Sequence, residues 1–192
     1  MSRAYWVKLS SSVSETVNAK DKSVHRIDLG AVVPEGEMSE LLEGALEASG
    51  WEKGEDGVYE KTLEDGVRLV WDLDAQEVEA LVEESETVSR NVHVEGRGYD
   101  RSTARREAKR MLEQEEGAAR DAINSEAERL QQKLSEKLDE NEAARVKEIN
   151  GVLQKTYAEA LKRKARRLGN VTSITESNTE DGEYQLTITI AE

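Results

Sequence analysis

The chain has 192 residues, with 27 Lys+Arg against 41 Asp+Glu for a formal net charge of −14. Hydrophobic residues make up 36% and charged residues 35%, with no Cys, no Phe and one Pro. The core must therefore be built from Val, Leu, Ile and Ala, and the composition excludes a disulfide framework, thiolate metal sites and thiol catalysis. No apolar run approaches the length of a membrane span or a signal peptide, so a cytoplasmic chain is expected.

In chain order, residues 1–99 read as a β-rich acidic domain. Tyr5, Val7 and Leu9 alternate with Trp6 and Lys8, and Val24 to Leu29 alternate again. The stretch between them, with Asn18 and Asp21 as turn formers, reads as a short strand and a loop. Pro34 stops the sheet, and Leu41, Leu42, Ala45, Leu46 and Ala48 have helical spacing. A short helix over 38–49 follows, closed by Gly50. Glu-Asp-Gly occurs at 55–57, 64–66 and 180–182, each time before alternating apolar residues, and suits type I′ hairpin turns. Strands are expected at Val58–Lys61, Val67–Asp72, Glu77–Glu83 and Thr87–Glu95, with Trp51 and Trp71 covering one face.

Residues 100–168 have helix-forming composition and no Pro. Leu112, Ile123 and Leu134 recur every eleven residues; so do Ala119 and Leu130, Ala127, Leu138, Ile149 and Ala160, and Val146, Tyr157 and Leu168. Eleven residues in three turns give a nearly straight helix or slightly right-handed packing. One long, coiled-coil-like helix or a helical hairpin bent near Asp139-Glu140-Asn141 would satisfy the pattern. The unbroken helix is preferred because the repeat does not slip there. Either form must cover its stripe, in a hairpin or in a dimer through the long helix. Residues 169–192 read as a C-terminal β-hairpin, Val171–Glu176 with Tyr184–Ile190. The fold class is α+β: an antiparallel sheet with hairpins and one short helix, plus the long helix and the C-terminal hairpin.

Charge is segregated along the chain. Residues 1–100 hold 10 basic and 23 acidic side chains, residues 101–168 hold 17 and 13, and residues 169–192 hold none and 5. Basic residues gather at the two ends of the long helix: Arg101, Arg105, Arg106, Lys109 and Arg110 at its start, and Lys162, Arg163, Lys164, Arg166 and Arg167 at its finish. The second group complements the helix macrodipole, whereas the first opposes it and needs an offsetting anion or partner. These ten residues are the candidate partner or anion contacts. Protein carboxylates are preferred over nucleic acid as what they face, because the chain is acidic and no aromatic residues interleave with the basic ones.

Other chemistry has no strong candidate. His25 and His93 lie in strands and would share a metal only if those strands were neighbours. The clusters Glu83, Glu84, Glu86 and Glu113, Glu115, Glu116 lack the spacing of a calcium loop and read as solvated faces. Gly96-Arg97-Gly98 could offer backbone N–H groups to a phosphate, but it lacks the rest of either phosphate-binding fingerprint. It reads as a strand-to-helix turn capped by Asp100 or Ser102. No catalytic residue, cofactor or metal is expected.

The layout resembles a bacterial family, the domain-X proteins of FtsH ternary systems. The resemblance rests on the opening MSRAYWVKLS, the helix segment MSELLEGALEASGWEK and the hairpins GVYEKTLEDGVRLVWDLDAQEVEALVE. The helix end ALKRKARRLG and the closing VTSITESNTEDGEYQLTITI extend it over essentially the whole chain. The C-terminal part also looks like the end of Ycf35-type proteins. The first resemblance implies a non-enzymatic adaptor working beside an FtsH-like AAA+ protein, a MoxR-type AAA+ ATPase and a vWA-domain protein in a biological conflict or defence system. It implies no catalytic residues to carry over. A nucleic-acid-binding module using the basic ends is the alternative.

Overall fold

The computed structural model describes residues 4–55, 57–178 and 184–191. The element order is β1 (Tyr5–Arg26), α1 (Glu35–Ala48), β2 (Glu52–Lys53), β3 (Val58–Thr62), β4 (Arg68–Asp72), β5 (Glu77–Gly98), α2 (Arg101–Glu140), α3 (Glu142–Leu168), β6 (Asn170–Asn178) and β7 (Tyr184–Ala191). The fold is α+β, with a five-stranded sheet of order β1-β5-β4-β3-β2 and a separate two-stranded sheet β6-β7. The chain divides into two compact units, each assembled from two stretches: residues 1–21 with 83–137, and residues 22–82 with 138–192.

In the first unit, β1 and β5 form an antiparallel ribbon. Lys8 meets Glu95, Ser14 meets Ser89, Thr16 meets Thr87, Asn18 meets Ser85 and Lys20 meets Glu83. One number rises as the other falls by the same amount, so the register does not slip between Lys8 and Lys20. The sequence places a loop in this part of β1 and a gap between two strands in β5; the structure instead continues both strands for 22 residues. The reason is chemical. The polar residues that look like turn formers are used on both faces: Ser14 Oγ meets Ser89 Oγ at 2.8 Å and Ser85 Oγ donates to Asn18 Oδ1 at 2.8 Å across the ribbon, while Asp21 accepts from Ser135 Oγ of α2 at 2.5 Å.

The other ribbon face is apolar and carries α2. Val92, Val94 and Ala119 form a buried cluster with Leu9, Val13, Met111 and Leu112 around it. Ile123 and Leu134 are each 1% exposed. Residues 83–98 extend about 50 Å at about 3.3 Å per residue, and residues 101–137 about 55 Å at about 1.5 Å per residue. The lengths match, so the helix buries its eleven-residue stripe on the ribbon with neither a second helix nor a second copy. The expectation that only a helical hairpin or a dimer can cover the stripe assumed strands of ordinary length, and β1 and β5 run for 22 residues each. The row of Val146, Tyr157 and Leu168 does not follow the stripe: Leu168 is 71% exposed.

At the join between β5 and α2 the two backbones almost touch. A Cβ built on Gly96 would lie 2.3 Å from Ala104 O and 2.4 Å from Ala108 N, and one on Gly98 would lie 2.4 Å from Ala104 N. Ala104 and Ala108 are fully buried against them. This is the strand-to-helix turn read from the sequence, and its cap is Asp100, whose Oδ1 accepts from the Thr103 N–H at 2.8 Å.

The second unit has a denser core. Tyr59 pairs with Trp71, and Trp71 with Val78, along β3, β4 and β5; all three are essentially inaccessible, with Leu69, Ala80, Leu42 and Leu46. Trp51 and Trp71 meet edge to face at 5.6 Å. α1 ends in a Schellman arrangement, Trp51 N–H to Leu46 O at 3.1 Å and Gly50 N–H to Glu47 O at 3.0 Å, with Gly50 at φ 78°. It starts three residues earlier than the sequence pattern indicates, directly after Pro34.

The Glu-Asp-Gly turn at 64–66 is not type I′. Gly66 N–H donates to Leu63 O and Leu63 N–H to Val67 O, and only Gly66 has a positive φ, 81°. This is a three-residue loop with a glycine bulge, which relieves Asp65 of a left-handed conformation. Gly57 also has a positive φ, 76°, and Gly54 N–H bonds to Val58 O; Asp56 lies outside the described residues. The third copy, 180–182, lies outside the described residues.

α3 covers α1 through Ala160, packed with Val33, Met38 and Leu41. The preferred unbroken helix over 101–168 is corrected by Asn141, a single residue at φ −98°, ψ 8° that separates α2 from α3. Arg145, 2% exposed, donates its guanidinium to the Leu138 carbonyl there. It supplies a donor that a helix end otherwise lacks.

Two substitutions test the close approach of α2 to β5. Gly96→Ala is expected to destabilise the protein by about 3 kcal/mol, because the nearest atoms to the new Cβ are backbone atoms that must shift. Gly117→Ala, where a Cβ meets nothing within 4 Å, is expected to stabilise it by about 0.5–1 kcal/mol. Urea unfolding followed by circular dichroism reads both.

Candidate interaction surface

The ten basic residues singled out in the sequence fall in different settings. At the finish of α3, three of them face carboxylates of the same unit. Arg167 makes a bidentate contact to Glu37 at 2.6 and 2.7 Å. Arg163 lies 3.9 Å from Glu37 and 3.8 Å from Glu40. Lys162 bridges Glu159 at 2.7 Å and Glu176 at 2.5 Å, tying α3 to β6. Lys164 and Arg166 are exposed.

At the start of α2, Arg110 pairs with Glu107 at 2.6 Å, and it alone of the five cations there has a carboxylate among the described residues. Arg101, Arg105, Arg106 and Lys109 are exposed, and the first turn holds no acidic residue. Because Ala104 and Ala108 face the ribbon, Arg101, Arg105 and Lys109 follow one another at every fourth residue along one flank, about 6 Å apart. Asp100, the nearest carboxylate in sequence, is occupied as the helix cap; the Thr103 backbone N–H and then the Ser102 hydroxyl hold its carboxyl below the usual aspartate range.

Three aromatic residues sit at this same end of the unit. Among the eight aromatics of the chain, Tyr5, Trp6 and Tyr99 are 50%, 57% and 87% exposed, while the three in the core of the other unit are buried. The Arg97 guanidinium lies over the Trp6 ring, 5.4 Å from its centroid. Ala4, Arg97, Gly98 and Tyr99 line a small cleft. Sequence reasoning passed over Trp6 because it stands 91 residues from Arg97. The only signal for it was an unusually aromatic strand start in a chain poor in aromatics.

The remaining candidates do not assemble into chemistry. His93 lies beside Lys8, Leu9 and Ser10 in a shallow cleft, whereas His25 belongs to the other unit. Among the described residues no group of three His, Asp or Glu is placed to hold a metal ion, and no helix is long and apolar enough to cross a membrane. The second unit has a groove of about 710 Å³ lined by Gly44, Ala48, Gly151, Lys155, Glu176 and Tyr184, among others.

The Lys162 bridge has a pH signature. Its hydrogen bonds to Glu159 and then Glu176 raise the Lys162 pKa, and the Lys162 and then Tyr184 hydrogen bonds lower that of Glu176. The Lys162 contribution is full below the ordinary lysine value of 10.5 and is lost as pH rises through the raised one. The Glu176 contribution is full above the ordinary glutamate value of 4.5 and is lost as pH falls through the lowered one. Hydrogen exchange in β7 is therefore expected to be slowest between those limits, and Glu176→Gln is expected to remove the acid-side dependence.

Comparison with known proteins adds one positive finding. A family model described as FtsH ternary system domain X5 matches residues 1–191. No curated protein and no solved structure matches the chain. With the match spanning essentially its whole length, the chain belongs to the FtsH ternary system domain X5 family.

Proposed function

We propose that the chain is a non-catalytic adaptor of an FtsH ternary system. In this reading it captures an AAA+ ATPase or vWA-domain protein of a bacterial conflict or defence system in the cytoplasm, by adding a strand of the partner to β1. One observation carries the reading. β1 is the edge of the five-stranded sheet, it runs for 22 residues without a proline, and Leu9–Ser14 is free of charge. Long, flat edges of this kind are templates for pairing with another chain, and proteins that have no use for them blunt them.

The register identifies which backbone groups an incoming strand would meet. Gln131 Nε2 donates to Lys20 O from outside the ribbon. The direct hydroxyl contacts Ser14–Ser89 and Thr16–Thr87 need the closer, non-hydrogen-bonded type of pair. Both place the N–H and C=O of even-numbered β1 residues outward. With no slip between Lys8 and Lys20, Ser12 offers its N–H to the edge, whereas Ser11 spends its own on β5.

Ser12→Pro is expected to leave the fold intact, since proline is tolerated where the N–H faces solvent, and to weaken partner capture more than tenfold. Ser11→Pro is expected to cost about 1–3 kcal/mol of stability through a lost ladder bond. The measurement is co-purification with the ATPase and vWA proteins encoded beside the gene, with ATP turnover of the isolated chain as the control for catalysis. Undiminished capture by Ser12→Pro would remove the β1 edge from the reading, and robust turnover by the chain alone would remove the adaptor. A dimer in light scattering that Ser12→Pro converts to monomer would assign the edge to a second copy instead.

A further inference from the structure

We propose that the end of the first unit where β5 turns into α2 binds single-stranded nucleic acid passing round the end of the ribbon, with bases stacking on Tyr99 at the turn and on Trp6 on the face away from α2, and the phosphate backbone tracking the basic flank Arg101, Arg105 and Lys109. This surface is separate from the β1 edge and does not depend on it.

Two arguments against nucleic acid that hold for the sequence do not hold for the folded chain. The first is net charge. Residues 1–21 and 83–137 carry 14 basic and 15 acidic side chains, a net charge of −1, and residues 22–82 and 138–192 carry 13 and 26, a net charge of −13. The acidity belongs to the other unit. Within the first unit, residues 97–110 hold 6 basic and 2 acidic side chains, and both acids are engaged, Asp100 in the helix cap and Glu107 with Arg110. The second argument is the lack of aromatic residues among the basic ones. The antiparallel register brings the first residues of β1 beside the last of β5, so that Trp6 stacks with Arg97 on the ribbon face away from α2, while Tyr99, at the turn into α2, stands two residues before Arg101.

The energetics point to an anion. Arg101, Arg105 and Arg106 at a helix start oppose the macrodipole; the capping carboxylate of Asp100 is one charge against three, and among the described residues no ion pair holds these arginines as Glu37 and Glu40 hold the basic finish of α3. The aromatics narrow the class of anion. A Tyr that is 87% exposed and a Trp that is 57% exposed contribute nothing to the core, and stacking platforms beside a cationic track are how single strands are held without sequence preference. The Arg97–Trp6 stack leaves the second ring face of Trp6 to a base. An anionic membrane uses Trp, Tyr and cations as well, but with aliphatic side chains entering the acyl region. In this unit the large exposed hydrophobics among the described residues are Tyr5, Trp6 and Tyr99 alone.

The test uses the full chain and fluorescein-labelled oligo(dT) and oligo(rU) of fifteen nucleotides at about 0.15 M salt, read by anisotropy with tryptophan quenching as a second signal. Binding is expected to be at least tenfold tighter than to the matching duplex and to weaken steeply with salt. Tyr99→Ala is expected to lose about five- to tenfold, the worth of one stacked base. Arg101→Gln with Arg105→Gln is expected to reduce the slope of log affinity against log salt by about 1.4, two contacts at about 0.7 each for a single strand. An abasic oligomer, which can stack on neither Trp6 nor Tyr99, is expected to bind more weakly than Tyr99→Ala binds the normal one. Ser12→Pro keeps full oligonucleotide binding if the two surfaces are independent, so loss of strand capture and loss of nucleic acid are separable. No binding at about 0.05 M salt, affinity indifferent to Tyr99→Ala and the double Arg variant, or binding to phosphatidylglycerol vesicles but not to the oligomers overturns the proposal.

Discussion

Everything in the first unit follows from how closely α2 can approach β5. Gly96 and Gly98 have no Cβ to hold the helix away, and Ala104 and Ala108 present the smallest side chains that still exclude water. A helix seated at that distance lies along the ribbon rather than across it, and the ribbon is long enough to take its whole apolar stripe. The same seating fixes which flank of α2 faces outward, and hence where Arg101, Arg105 and Lys109 stand. Side-chain volume at four positions therefore decides both the packing and the orientation of a charged surface more than two turns long.

The two ends of the helical segment 101–168 show opposite uses of the same residue types. At the finish of α3, Lys162, Arg163 and Arg167 agree with the dipole and close ion pairs onto α1 and β6. Most of these pairs are partly exposed and individually worth little. Their value is in holding specific elements together, the hairpin β6–β7 above all. At the start of α2 the cations disagree with the dipole and have been left without carboxylates, except for Arg110.

Much of this fold is legible in the residues. The helix composition of 101–168, the eleven-residue stripe, the Asp100 cap, the Trp51–Trp71 contact and the C-terminal hairpin all follow from periodicity and local chemistry. What was not legible has a common cause. Ser, Thr, Asn and Asp in β1 and β5 carry the vocabulary of turns, and only the knowledge that they pair with one another across the ribbon turns them into strand. Once the strands are taken as short, the helix looks too long to cover, and the partner it lies on is sought outside the chain. The surface at the basic end was missed for the same reason: Trp6 and Arg97 become neighbours only through a register that local patterns do not contain. The break at Asn141 is visible as a polar triplet, but its cause, a buried Arg145 four residues on, is not.

The interleaved construction of the two units has a cost during synthesis. β1 leaves the ribosome ahead of β5, its partner strand among the described residues, which follows after fifty intervening residues. At about 5–20 residues per second the early strand waits for seconds with both edges open. The second unit waits longer still, since it needs residues beyond 138 to complete its core. The first unit can close once residue 137 has emerged, whereas the second stays open until the residues that follow it have been made. The chain's scarcity of large apolar residues and its alternation of hydroxyl and charged side chains on β1 suit a strand that must remain unpaired in water until its mate arrives.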